Sequence, residues 1–124
     1  MKEQLEFLRK IQKLQKLCRT YSPDAYSFVL QALDFTMKKL PKPRHISGQE
    51  LLEGIRLYAL EQYGAMARTV LEHWSVKSTV DFGQIVFDLI EAGLLRKREE
   101  DLLDDFKGGF DFKEAFDNKF KFGG

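Results

Sequence analysis

The segment Ser47-Gly48-Gln49-Glu50, followed by Leu51, Leu52, Ile55, Tyr58, Ala59 and Gln62, limits most tightly what this chain can fold into. A serine oxygen that accepts an orphan amide, with a glutamate three residues on that reaches back, makes a capping box. Side chains at the 3–4 spacing behind it make one face of an α-helix. Gly64 supplies a left-handed stop. The preceding segment obeys the same rules. Ser22 caps a helix whose first position is Pro23, where a missing N–H costs nothing. Tyr26, Val29, Leu30, Leu33, Met37 and Leu40 form its stripe. Ala25, Phe28, Ala32 and Phe35 widen that stripe to a second side, which marks a central core helix. The helix stops before Pro41-Lys42-Pro43, a stiff extended connector.

Three further helices follow from periodicity. Over residues 3–18, Phe7, Ile11, Leu14 and Cys18 recur at i, i+4, i+7 and i+11, flanked by Leu8 and Leu17, with a polar, basic opposite face. A short helix runs from about Ala65 to Trp74, with Met66, Val70, Leu71 and Trp74 inward. The link Ser75–Thr79 carries the next cap, and a fifth helix over Val80–Ala92 buries Phe82, Ile85, Val86, Leu89 and Ile90 before Gly93 ends it. Residues 94–110 read equally as a short strand with a returning arm or as a helical turn. Asp111 then caps a last short helix with Phe112, Phe116 and Phe120 at i, i+4 and i+8. The expectation is a mainly α, single-domain bundle of five to six helices over residues 1–124, with room for a short winged-helix-like hairpin near 94–110. Residues 1–20 form a basic amphipathic helix, 21–95 a helical core, and 96–124 an acidic, Phe-rich tail.

Composition supports an ordinary globular domain. Hydrophobic residues make up 44% and charged residues 31% of 124, with a net charge of +1. A dedicated DNA-binding domain is usually far more basic. The charge is uneven: Lys2, Arg9, Lys10, Lys13, Lys16 and Arg19 crowd the start, while Glu99, Glu100, Asp101, Asp104, Asp105, Asp111, Glu114 and Asp117 crowd the end. The two can pair within or between chains, or simply face solvent. Cys18 is the only cysteine, so no disulfide forms within one chain, which fits a reducing compartment. No apolar signal core opens the chain and no apolar run is long enough to cross a membrane, so a cytoplasmic protein with no membrane contact is expected.

The blocks Arg44–Arg56 and Tyr58–Gly64, Asp81–Phe87 with Leu89–Leu95, and Phe110–Phe116 resemble a family of small uncharacterised bacterial proteins, a domain of unknown function. The resemblance covers about residues 20–117. It implies bacterial origin and one cytoplasmic domain. It implies no activity and transfers no catalytic residue.

Three sets of residues carry functional expectations. Lys42, Arg44 and His45 precede a helix N-terminus, where free amides and the helix dipole attract anions, although Ser47 and Glu50 already compete for those amides. Lys77, Arg96, Lys97 and Arg98 form a modest basic patch suited to nucleic acid. The helix that would enter the groove, however, shows Asp81, Gln84, Asp88 and Glu91 on its presumed outer face, which phosphate would repel. Phe112, Phe116 and Phe120 lie beside acidic residues and dock either on a partner or on the chain's own core. Catalytic, cofactor and metal sites are not expected. His73, His45 and Cys18 are far apart, and Asp81-Phe82-Gly83 lacks every companion motif of a kinase. The terminal Gly123-Gly124 matches a conjugation tail only in two residues, and a frayed end explains it as well. The leading reading is a non-catalytic protein-interaction module that binds a protein or itself. A winged-helix-like nucleic-acid or ribosome-associated protein comes second and a small enzyme third.

Overall fold

The computed structural model describes residues 2–17, 20–42, 44, 46–95 and 109–118. Among these, α1 spans Lys2–Leu17, α2 Pro23–Lys38, α3 Gly48–Tyr63, α4 Ala67–His73 and α5 Thr79–Glu91. A 3₁₀ turn, Gly64–Met66, joins α3 to α4, and a π-helical segment, Lys113–Asn118, closes the chain's described part. No strand occurs among the described residues, so the expected all-α bundle is what forms. Leu94 and Leu95 lie in bends after α5, while the rest of the 94–110 hairpin alternative falls outside the described residues up to Gly109.

The caps form as the local sequence requires. The Ser22 hydroxyl accepts from the Asp24 amide at 3.2 Å, with Pro23 opening α2. At α3 the Ser47 hydroxyl accepts from the Glu50 amide at 3.0 Å, and the Glu50 carboxylate accepts from the Ser47 amide at 2.9 Å. Each cap satisfies a donor that the first helical turn leaves orphaned. Gly64 closes α3 with φ of 52°, a backbone angle that a side chain would resist. The last segment starts where Asp111 accepts from the Glu114 amide at 3.1 Å.

α2 is the centre of the bundle. Ala25, Tyr26, Phe28, Val29 and Ala32 are buried along it, and it packs most extensively on α3 and next on α5. The approach to α3 is very close at one point. A Cβ on Gly54 would overlap the Thr36 hydroxyl and come within 2.9 Å of the Thr36 Cβ. The Thr36 hydroxyl turns back to donate to the Ala32 carbonyl at 2.7 Å, which keeps this polar atom satisfied at the contact. Ile55, Leu51, Leu52 and Ala59 then press onto the core from the α3 side. The approach to α5 is polar at its heart: the buried Tyr26 hydroxyl donates to Asp88 Oδ2 at 2.8 Å.

Two expectations change. Met66 is 56% exposed rather than inward, because the 3₁₀ turn ends at this residue and α4 starts only at Ala67, which takes the buried position. Asp88 is only 9% exposed rather than on an outer acidic face, because its carboxylate turns in to Tyr26.

Removing the Gly54 gap tests this packing. Gly54→Ala should destabilise the fold by about 1–3 kcal/mol through overpacking. Thr36→Ala in the same chain should recover part of that loss, read by urea unfolding as a positive coupling between the two positions. Ile55→Ala, which leaves a cavity instead, should cost about 2–5 kcal/mol without any such coupling.

Candidate functional site: a groove along α2

The outward face of α2 carries Ser27, Leu30, Gln31, Asp34, Phe35 and Lys38. Together with Tyr58 of α3 they line an open groove of about 580 Å³. Helical spacing explains the set. Ser27, Gln31, Asp34 and Lys38 fall at i, i+4, i+7 and i+11, which puts them on one line facing solvent. The floor is apolar and aromatic. Phe35 and Tyr58 rings lie 5.0 Å apart, and Tyr58 rests 5.5 Å from the buried Phe28. Phe28 in turn contacts Trp74 at 5.6 Å and Tyr63 at 6.0 Å. A continuous aromatic stack thus anchors the groove floor in the core. Burial, then Tyr58 and Asp24, push the Tyr63 phenol above its ordinary range.

The rim is polar and nearly neutral. Asp34 and Lys38 pair at 2.8 Å, one helical turn apart, and both stay largely exposed, so the pair adds little to stability. The Tyr58 hydroxyl donates to Gln31 Oε1 at 3.2 Å across the groove. Lys39 lies 4.1 Å over the Phe35 ring, so one aromatic face already holds a cation. The groove can therefore bury an apolar side chain and meet uncharged or paired polar groups at its edge.

The residues singled out from the sequence sit elsewhere. Arg44 makes a forked ion pair to Glu50, with contacts of 3.1 and 2.8 Å. That pair, together with the Ser47 amide, draws the Glu50 carboxyl down from its ordinary 4.5 to about 2. The α3 N-terminus thus already has its anion in Glu50, and Lys42 is exposed. His45 lies outside the described residues, as do Arg96, Lys97, Arg98, Phe120, Gly123 and Gly124. Lys77 is exposed, and its amide donates to Asp81 Oδ2 at 2.8 Å. Phe112 and Phe116 are buried, their rings edge to face at 5.2 Å, with Phe112 5.8 Å from Phe82. They belong to the core and are not offered to a partner.

Two acids of α5 are structural, while Glu91 is exposed as expected. Asp81 accepts from the Tyr21 hydroxyl at 2.6 Å and from the Ser78 amide at 3.1 Å. Asp88 accepts from Tyr26 and, at 3.0 Å, from the Gln84 side chain. The exposed line of α5 carries Val80 and Phe87 together with Glu91. No group of histidine, cysteine and carboxylate able to hold a metal occurs among the described residues.

Comparison with known proteins returns no match: no family model fits the chain, and neither a curated protein nor a solved structure resembles it.

The groove escaped sequence reading because its lining joins residues 27–38 to Tyr58, and because Leu30 and Phe35 were assigned to the core stripe. Phe35 and Leu30 are in fact half-buried at the stripe's edge. The double width of the apolar stripe on α2 is the signal the sequence offers.

The Arg44–Glu50 pair makes a pH-dependent prediction. Because folding lowers the Glu50 pKa, the associated stabilisation is present above about 4.5 and is lost as pH falls toward about 2. In Arg44→Ala, NMR titration of the Glu50 carboxyl should show its midpoint rise toward 4.5, remaining below it while the Ser47 amide still donates.

Proposed function

We propose that this domain is a non-catalytic protein-interaction module, and that the groove along α2 seats an amphipathic helix of its partner. The observation that carries this reading is the groove itself: an aromatic, apolar floor of Leu30, Phe35 and Tyr58 under a polar rim of Ser27, Gln31, Asp34 and Lys38. Helix-in-groove recognition uses this division, with apolar anchors below and polar contacts at the edge. The groove follows α2 from Ser27 to Lys38, about 16 Å at 1.5 Å per residue, which matches three turns of a bound helix. Its floor is held by the Phe28–Trp74 stack, so a partner meets a preorganised surface and little ordering cost attends binding. A bacterial, cytoplasmic setting is part of the same proposal, supported by the sequence resemblance and by the single cysteine.

Site-specific photo-crosslinking in the native lysate tests the proposal. A crosslinker at Gln31 should capture a protein at fixed stoichiometry, insensitive to nuclease, and one at the exposed Glu61 of α3 should not. Equal capture at both positions, or adducts that vanish with nuclease, would contradict a protein-binding groove.

A further inference from the structure

Exposed apolar residues occur on several helices, and the charges around them differ. Val80 and Phe87 on α5 are each 45% exposed, and Gln84 and Glu91 continue their line at i+4 and i+11 from Val80. Leu57 on α3 has Glu53 and Glu61 one turn away on either side. On α1 the surroundings are basic. Lys2, Leu5, Arg9 and Gln12 fall at i, i+3, i+7 and i+10, with Leu8 beside them, and all five are exposed. Glu3 and Glu6 lie outside this line. The α1 sequence holds five cations, Lys2, Arg9, Lys10, Lys13 and Lys16, against those two acids, in a chain whose net charge is only +1. The helix touches α2, and the Lys10 ammonium reaches the Gly93 carbonyl at 3.4 Å, while residues 2–6 are exposed on every side.

We infer that α1 is an interfacial helix, lying along a bilayer surface rich in anionic lipid with Leu5 and Leu8 inserted at the headgroup boundary and Lys2 and Arg9 paired with lipid phosphates. No helix among the described residues is long and apolar enough to cross a membrane, and the expectation of no membrane contact rested on the lack of such a run. A helix lying flat needs none: it needs an apolar edge bordered by cations, which is what α1 exposes. The two parts act together. Insertion takes leucine surface out of water, and each nearby Lys or Arg adds attraction to the anionic leaflet. Glu91 beside Phe87, and Glu53 and Glu61 beside Leu57, would be repelled by the same surface. α1 is already helical in the folded domain, so little further ordering attends the contact. It contributes no residue to the groove along α2, so the two readings stand or fall separately.

Co-sedimentation of the full chain with lipid vesicles tests this. The wild type should bind vesicles of phosphatidylglycerol and phosphatidylcholine in equal parts, and should stay in the supernatant with phosphatidylcholine alone. Leu5→Gln/Leu8→Gln removes the apolar edge without changing charge, and Lys2→Glu/Arg9→Glu reverses the cations. Both alter exposed positions only and should keep the far-UV circular dichroism of the wild type. Each should weaken binding to the anionic vesicles at least about tenfold. Val80→Gln/Phe87→Gln on α5 should bind as the wild type does. A wild type that ignores anionic vesicles would overturn the inference, as would equal binding to phosphatidylcholine alone. Binding that falls with Lys2→Glu/Arg9→Glu but survives Leu5→Gln/Leu8→Gln would also overturn it. That result would leave α1 a plain cationic patch, open to nucleic acid or an acidic protein. Equal loss in the α5 variant would place the contact elsewhere and overturn it too.

Discussion

α3 packs tightly on α2 at one point because residue 54 has no side chain to collide with that of Thr36. At Gly54 the two helices meet so closely that the space a Cβ would take is already filled by Thr36. That contact sets the relative position of the two longest core helices and, with it, the position of Tyr58 over the outer edge of α2. Had the helices been farther apart, Tyr58 would not reach Phe35 at 5.0 Å or Gln31 at 3.2 Å, and the outer face of α2 would be a bare helix surface. The close approach at Gly54 thus helps to place Tyr58 at the groove. On the far side of α2, a buried tyrosine–aspartate hydrogen bond joins α5 to the same helix. Such a bond is worth little net, yet leaving either group buried alone is expensive, so it selects one arrangement of α5 over its neighbours in register.

The aromatic residues divide by depth. Phe28, Trp74, Phe82, Phe112 and Phe116 are core, and their ring contacts form two groups: Phe28 of α2 with Trp74 at the end of α4, and Phe82 of α5 with Phe112 and Phe116 of the terminal segment. Gly109 helps to bring that segment in: its amide donates to the Thr79 hydroxyl at 3.2 Å. Phe35 and Tyr58 lie at the edge of the Phe28 group, where it reaches solvent. A partner touching them touches a surface already fixed from below.

What could be read from the sequence was local. The caps at Ser22 and Ser47, the Pro23 start and the Gly64 stop involve residues within four positions of each other, so their chemistry is legible without a fold. The inward stripes of α2, α3 and α5 were legible for the same reason. The orientation of Asp88 was not, since its partner Tyr26 lies 62 residues away and an aspartate on a helix reads as a surface acid until that hydroxyl is found. Met66 was misplaced because a 3₁₀ turn advances the chain by a different angle per residue than the α-helix assumed there. The groove needed both α2 and α3 in place. Phe112 and Phe116 at helical spacing fit the chain's own core better than a partner, and their segment packs against α3 and α4.

The central claim is that α2 is the common support of the bundle, meeting α3 at Gly54 and α5 at Tyr26–Asp88 while its outer face stays open to solvent. Native-state hydrogen exchange measures this most directly. The account predicts that buried amides of α2, α3 and α5 open together, with the free energy of global unfolding, while amides in the first turns of α1 exchange far faster. If α5 opened on its own at a markedly lower free energy, with α2 and α3 still protected, α2 would not be the common support, and the account would be wrong.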